Sequence, residues 1–191
     1  MKCEVKTNNS KLHTSNFTLV VMLPDRIYII GYMCSGKSSI SRKVAARLGY
    51  EPYDTDDLFE ERYHICVQDF FEKYGEDYFR KFESEILKKT GEMHHVVVST
   101  GGGTPCFFDN MQWMNENGTT VFVKVSPQTA FHRIMNAKRK RPLVYGKSEE
   151  DLFQYVENHY NSRLPIYEQA DFIVKGENFD IDEVLNYLSK L

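Results

Sequence analysis

Three absences set the first bounds on this chain. No C-x-x-C pair occurs among its four cysteines, Cys3, Cys34, Cys66 and Cys106. Neither a zinc site nor a disulfide framework is therefore expected, and unpaired thiols suit a reducing compartment. No apolar run of bilayer length marks the N-terminus either: the stretch from Phe17 to Leu23 is too short to span. It lacks a small-residue cleavage site and runs into Pro24-Asp25-Arg26, so residues 1–24 read as an N-terminal extension rather than a signal peptide. Finally, no charge excess is available to recruit nucleic acid or an anionic membrane, since the net charge is -3 over 191 residues. Any anion has to be gripped locally.

What is present is enough for one compact core. A hydrophobic fraction of 41% at this length predicts a single α/β domain over residues 25–191. The apolar run Ile27-Tyr28-Ile29-Ile30 meets a glycine-bearing turn, and Ile40, Val44 and Leu48 follow at helical spacing. The cycle of strand, loop and helix recurs with His95-Val96-Val97-Val98 ahead of a triple glycine. It recurs again with Val121 to Val125 ahead of Ser126-Pro127, an N-cap followed by proline at the first helical position. A last strand, Phe172-Ile173-Val174, precedes a terminal helix with Ile181, Val184, Leu185 and Leu188 on one face. Short, nearly all-apolar strands between helices predict a parallel sheet covered on both sides, a three-layer sandwich. Residues 57–90 read as a mostly helical insertion with Phe79, Phe82, Ile86 and Leu87 in a stripe. Residues 138–150, polar and broken by proline and glycine, read as a loop, with helix resuming at about Asp151.

Chemistry concentrates in a few segments. Gly31-Tyr32-Met33-Cys34-Ser35-Gly36-Lys37-Ser38 matches G-x-x-x-x-G-K-[ST] between a strand and a helix, the setting that a phosphate-binding loop requires. Backbone N–H groups over Cys34, Ser35, Gly36, Lys37, Ser38 and Ser39 are placed to cradle phosphates. Lys37 reaches the β and γ phosphates, and the Ser38 hydroxyl can hold Mg²⁺. A nucleoside triphosphate is therefore the expected ligand. Tyr53-Asp54-Thr55-Asp56-Asp57 ends a short second strand, which puts carboxylates at the sheet rim where ligands bind; an acidic helix N-terminus is the plainer reading. Arg80 adjoins the apolar stripe, where its fork can grip a planar carboxylate and Glu83 can brace it. Gly101, Gly102 and Gly103 follow a buried strand and allow backbone to approach a ligand closely. Arg141 and Arg163 are candidate phosphate and substrate clamps, while Lys138-Arg139-Lys140-Arg141 taken alone also fits a small nucleic-acid patch.

In this order and spacing, G-Y-M-C-S-G-K-S, D-T-D, F-R-K-F-E, S-T-G-G-G, R-P-L and R-L-P-I-Y resemble the shikimate kinase family from about Arg26 to Val174. The resemblance implies a P-loop kinase fold with a central five-stranded parallel sheet, a substrate-binding helical segment over residues 57–90 and a lid over residues 138–150. It implies transfer of the ATP γ-phosphoryl group to the 3-hydroxyl of shikimate, with Mg²⁺, in aromatic amino-acid biosynthesis. By the same resemblance Asp56 holds the acceptor hydroxyl, Asp54 organises Mg²⁺ through water, and Arg80 and Arg163 clamp the shikimate carboxylate. Gly102 gives a backbone contact to a substrate hydroxyl, and Arg141 is the lid arginine on the nucleotide. The expected partners are shikimate and ATP, with no nucleic acid and no membrane, for a monomer in the cytoplasm.

There are departures from the family pattern. Cys34 stands where many members carry glycine. Ile134, beside Arg133, stands where many carry an arginine packed on adenine, and no arginine occurs in residues 175–180. A kinase for gluconate or a nucleoside monophosphate is the nearest alternative, and a nucleotide-dependent switch is a more distant one. A cation on the transferring phosphoryl group is worth on the order of 10³-fold or more in rate. Arg141→Ala is therefore expected to lower kcat far more than it raises the shikimate KM, which steady-state kinetics with both substrates varied will check.

Overall fold

The computed structural model describes residues 23–137 and 148–190. Five parallel strands form its centre: β1 (Arg26–Ile30), β2 (Glu51–Asp54), β3 (Val96–Ser99), β4 (Thr119–Lys124) and β5 (Phe172–Lys175), in the spatial order β2-β3-β1-β4-β5. The helices between them are α1 (Lys37–Leu48), α2 (Thr55–Tyr63), α3 (Val67–Tyr74), α4 (Glu76–Lys89), α5 (Asn110–Asn117), α6 (Pro127–Met135), α7 (Glu149–Tyr167) and α8 (Ile181–Leu188).

The alternation of side chains along β1 builds two cores from one strand. Ile27 and Ile29 face Ile40 and Val44 of α1 and Val184 and Leu188 of α8. Tyr28 and Ile30 face the opposite way, into a core with Leu87, Met111, Phe122, Val156 and Tyr167. Both faces are covered, so β1 and β3 are buried almost end to end, while the edge strands β2 and β5 are not. That contrast is the one expected of a parallel sheet closed by helices on each side.

The strands and helices read from the sequence are present, with shifted boundaries. His95 is not in a strand: its left-handed φ of 55° precedes β3, which instead extends to Ser99. The helical insertion begins inside α2, since Asp54 caps that helix by accepting from the Asp56 N–H at 3.0 Å. Helix α7 starts two residues early, at Glu149, because the Ser148 side chain caps it. It then runs through Pro165 to Tyr167. Helix α5 carried no periodic signal and was not anticipated. Ser126 does cap α6, with proline in its first turn. Residues 1–22 of the N-terminal extension and 138–147 of the expected lid, Arg141 among them, lie outside the described residues.

A third apolar cluster stands apart from the sheet, where Phe59, Phe70, Phe79 and Ile86 pack α2, α3 and α4 together. Phe59 is 1% exposed, and its ring lies within 5.3 Å of those of Tyr63, Phe70 and Phe79. Deleting a buried aromatic ring costs about 3–5 kcal/mol. Phe59→Ala is expected to lower unfolding free energy by about that amount, read from the urea midpoint at unchanged m-value.

Candidate functional site

Strands β1, β2 and β3 are neighbours, and all three deliver their C-terminal ends to one rim of the sheet. Asp54 of β2 lies in register with Ser99 of β3, and Ile29 of β1 with the same Ser99. The phosphate loop, the D-T-D segment and the triple glycine therefore converge without any long-range adjustment. This is the edge where ligands bind in open α/β sheets.

Asp54 ties the three segments together. Its Oδ2 accepts from Ser38 Oγ of the phosphate loop and from Ser99 Oγ of β3, both at 2.7 Å, while Oδ1 takes the Asp56 N–H. A hydroxyl and a carboxylate held together are hard oxygen donors, the set that suits Mg²⁺. Lys37 is buried and donates to the Tyr32 carbonyl at 2.9 Å, which folds its ammonium over the phosphate loop. Cys34 adopts a left-handed φ of 59°, a conformation that accounts for glycine being common at this point in similar loops.

Beyond the loop is a cavity of about 420 Å³, whose walls include Met33, Cys34, Asp56, Arg80, the triple glycine and Arg163. Arg80 lies over Phe107, its guanidinium carbon 4.2 Å from the ring centroid. Nη1 donates to Glu83 at 2.9 Å, while Nε and Nη2 donate to Glu76 at 3.1 and 2.9 Å. Burial works against the charge, but Glu83 and Glu76 outweigh it and hold the guanidinium above its ordinary pKa. Glu83 does brace Arg80, as its spacing suggested. It is itself 3% exposed and also accepts from Thr104 Oγ1 at 2.6 Å.

The reason for three successive glycines proves to be packing inside the protein. A Cβ at Gly101 would lie 2.6 Å from Glu83 Oε1, one at Gly102 3.0 Å from the Met33 nitrogen, and one at Gly103 2.5 Å from Arg80 Nη1. Glu83, the phosphate loop and Arg80 take up that space, and the same three glycines also line the cavity. The Gly102 carbonyl accepts from Tyr167 Oη at 2.5 Å and faces Arg163 Nη1 at 3.5 Å. Arg163 thus rests on the same loop from the opposite side, carried by α7.

Three residues at the site are not among the candidates that the sequence singles out. Arg133, next to the noted Ile134, donates from Nη1 to the Ser35 carbonyl at 2.8 Å and from Nη2 to the Gly176 carbonyl at 3.2 Å, pinning the phosphate loop to the turn after β5. Ile134 is 7% exposed and belongs to the core. Glu76 and His159 also reach the cavity; each lies four residues before a clamp arginine, a helical spacing that points to a shared face.

Comparison with known proteins agrees with this geometry. The family model described as shikimate kinase matches residues 33–191. A shikimate kinase of Phocaeicola vulgatus is 43% identical over 155 residues, covering 81% of this chain and 89% of that protein. The crystal structure of a shikimate kinase from Bacteroides thetaiotaomicron superposes with a TM-score of 0.79 at 36% identity, over 87% of this chain and 97% of that one. A shikimate kinase from Acinetobacter baumannii in complex with shikimate gives a TM-score of 0.78 at 26% identity, over 89% and 95% of the two chains.

The two carboxylates on Arg80 differ in burial, with side-chain exposures of 4% for Glu83 and 47% for Glu76. Removing one partner of a buried pair costs about 3–5 kcal/mol, whereas an exposed pair contributes about 0–1 kcal/mol. Glu83→Ala is expected to destabilise by about 3 kcal/mol or more and Glu76→Ala by under about 1 kcal/mol, compared by urea unfolding of the two variants.

Proposed function

The chain belongs to the shikimate kinase family, and from that premise we propose how its own residues carry the γ-phosphoryl group of ATP to the 3-hydroxyl of shikimate, a step of aromatic amino-acid biosynthesis. The observation that carries the reading is the convergence of Asp56, Arg80 and Arg163 on one cavity whose wall is the phosphate loop. Phosphoryl transfer depends mainly on positioning and charge stabilisation, and that arrangement supplies both.

Residues Cys34 to Ser39 receive the ATP phosphates on their N–H groups. Lys37, already folded over the loop, exchanges its carbonyl partner for phosphate oxygens. Mg²⁺ fits beside Ser38 and Asp54, the first as a ligand and the second through water, and when bound it neutralises charge on the phosphates. Arg80 and Arg163 hold the shikimate carboxylate, which orients the ring with its 3-hydroxyl toward Asp56. Asp56 accepts a hydrogen bond from that hydroxyl and takes its proton as the new O–P bond forms and ADP leaves. The backbone of Gly101, Gly102 and Gly103 lines the ring on one side. Arg141 is assigned to the nucleotide phosphates by its place in R-P-L. Arg133, held between the phosphate loop and the turn at Gly176, is assigned to the adenine contact as the arginine adjacent to Ile134.

A monomer in the cytoplasm completes the reading. The unpaired Cys34, Cys66 and Cys106 favour a reducing compartment. Among the described residues, no helix is long and apolar enough to cross a membrane.

The test is ADP release from ATP and Mg²⁺ in a coupled assay, with shikimate, quinate, gluconate and nucleoside monophosphates as separate acceptors. Stimulation by shikimate above all others is expected; equal release with every acceptor would discard the assignment. In the same assay Asp56→Asn is expected to lower kcat by about 10²–10⁴-fold, with a much smaller change in shikimate KM.

A further inference from the structure

Helix α7 presents Tyr155, His159 and Arg163 to the cavity at successive turns. Only the arginine has a role so far. The imidazole is held as firmly as a ligand-binding group needs to be. Its Nδ1 shares a hydrogen bond of 2.8 Å with Tyr32 Oη, a residue of the phosphate loop. One face stacks on Tyr155 at 5.3 Å and 19°, and Tyr32 meets the ring edge-on at 5.5 Å. Three contacts of this kind restrict the ring's rotation, which is what preorganisation requires.

The tautomer follows from the Tyr32 contact. A phenol O–H is a stronger acid than an imidazole N–H, so Tyr32 donates to Nδ1 and the ring proton sits on Nε2. His159 Nε2 makes no hydrogen bond among the described residues, so its N–H is available to the cavity. The charged and polar groups around the ring are Arg163 and Arg80, Glu76, and the hydroxyls of Tyr32 and Tyr155. Burial, followed by Arg163, lowers the imidazole pKa to about 4, with Arg80 adding to the effect and Glu76 opposing it. Near neutral pH the ring is therefore uncharged.

Arg80 has five N–H donors, and three are engaged by Glu76 and Glu83. Two remain for a carboxylate, which offers roughly four acceptor positions, and Arg163 and His159 stand on the same cavity. A further donor beside the two arginines satisfies the anion without adding a third positive charge.

We propose that His159 is a further substrate-binding residue, its Nε2–H donating to the carboxylate of bound shikimate beside Arg80 and Arg163. The proposal rests on shikimate being the acceptor, and wild-type ADP release with shikimate tests that premise separately. A wild-type enzyme that shikimate does not stimulate would overturn the function; the variants below bear on His159 alone.

The experiment is steady-state kinetics of His159→Ala, His159→Asn and His159→Gln, with shikimate and ATP varied in turn. A hydrogen bond to a charged group is worth about tenfold or more in affinity. His159→Ala is expected to raise shikimate KM about tenfold, with far smaller effects on kcat and on ATP KM. The glutamine amide reaches the Nε2 position and the asparagine amide only the Nδ1 position, so His159→Gln should recover most of the loss and His159→Asn should not. With the shikimate analogue whose carboxylate is replaced by hydroxymethyl, the difference between wild type and His159→Ala should largely vanish. The wild-type shikimate KM should show no histidine break between pH 6 and 8, because the ring is already neutral there. An unchanged shikimate KM in His159→Ala overturns the proposal. So does recovery by asparagine but not glutamine, or a matching rise in ATP KM, since either result would assign His159 a structural role through Tyr32.

Discussion

The space left by absent side chains at Gly101, Gly102 and Gly103 is the constraint on which the site depends. Three different parts of the protein occupy it: the Glu83 carboxylate, the Met33 backbone and the Arg80 guanidinium. Each belongs to a different part of the site, namely the brace, the phosphate loop and the proposed carboxylate clamp. A methyl group at any of the three positions would push one of these out of place, and packed interiors yield to such intrusion only at a cost of about 1–3 kcal/mol. The loop thus sets the distance between the phosphate side and the acid-binding side of the cavity. Phosphoryl transfer needs that distance to be held within a few tenths of an ångström, since displacement of reacting atoms by about 1 Å costs on the order of 10²-fold in rate.

Asp54 performs the corresponding task beside the phosphate loop. Two hydroxyl donors from different elements meet on one carboxylate oxygen, and the other oxygen caps α2. The cap orients the helix that carries Asp56, so one residue links the position of the proposed base to that of the phosphate loop. An acidic helix N-terminus and a catalytic carboxylate pair had been competing readings of D-T-D. The structure bears out the first, since Oδ1 of Asp54 caps α2; the second belongs to the proposed mechanism.

The apolar clusters divide the molecule along the same line. The two cores on either side of the sheet anchor the phosphate loop, while the satellite cluster of α2, α3 and α4 carries Arg80, Glu83 and Glu76. Arg163 and His159 come from α7, whose Tyr160 and Tyr167 belong to the main core. The acid-binding wall is therefore assembled from two bodies that meet at the triple glycine. That meeting point is also where a buried cation is stabilised against desolvation by Glu83.

The order of strands and helices, the phosphate loop and the candidate residues were legible from the sequence because each rests on local chemistry. Period-two and period-3.6 apolar patterns, a glycine-rich turn before a lysine, and a serine-proline cap all act within a few residues. Helix α5 escaped because its polar run, Asn110 to Asn117, has little periodicity and is held by contacts such as Ser84 Oγ to Asn110 at 2.6 Å. The purpose of the triple glycine, the engagement of Arg80 by two carboxylates, the pinning of the phosphate loop by Arg133 and the orientation of His159 by Tyr32 were decided only in three dimensions. Gly103 and Arg80 are far apart in the chain, as are Tyr32 and His159, and what a missing Cβ or an imidazole nitrogen meets depends on which strands lie side by side.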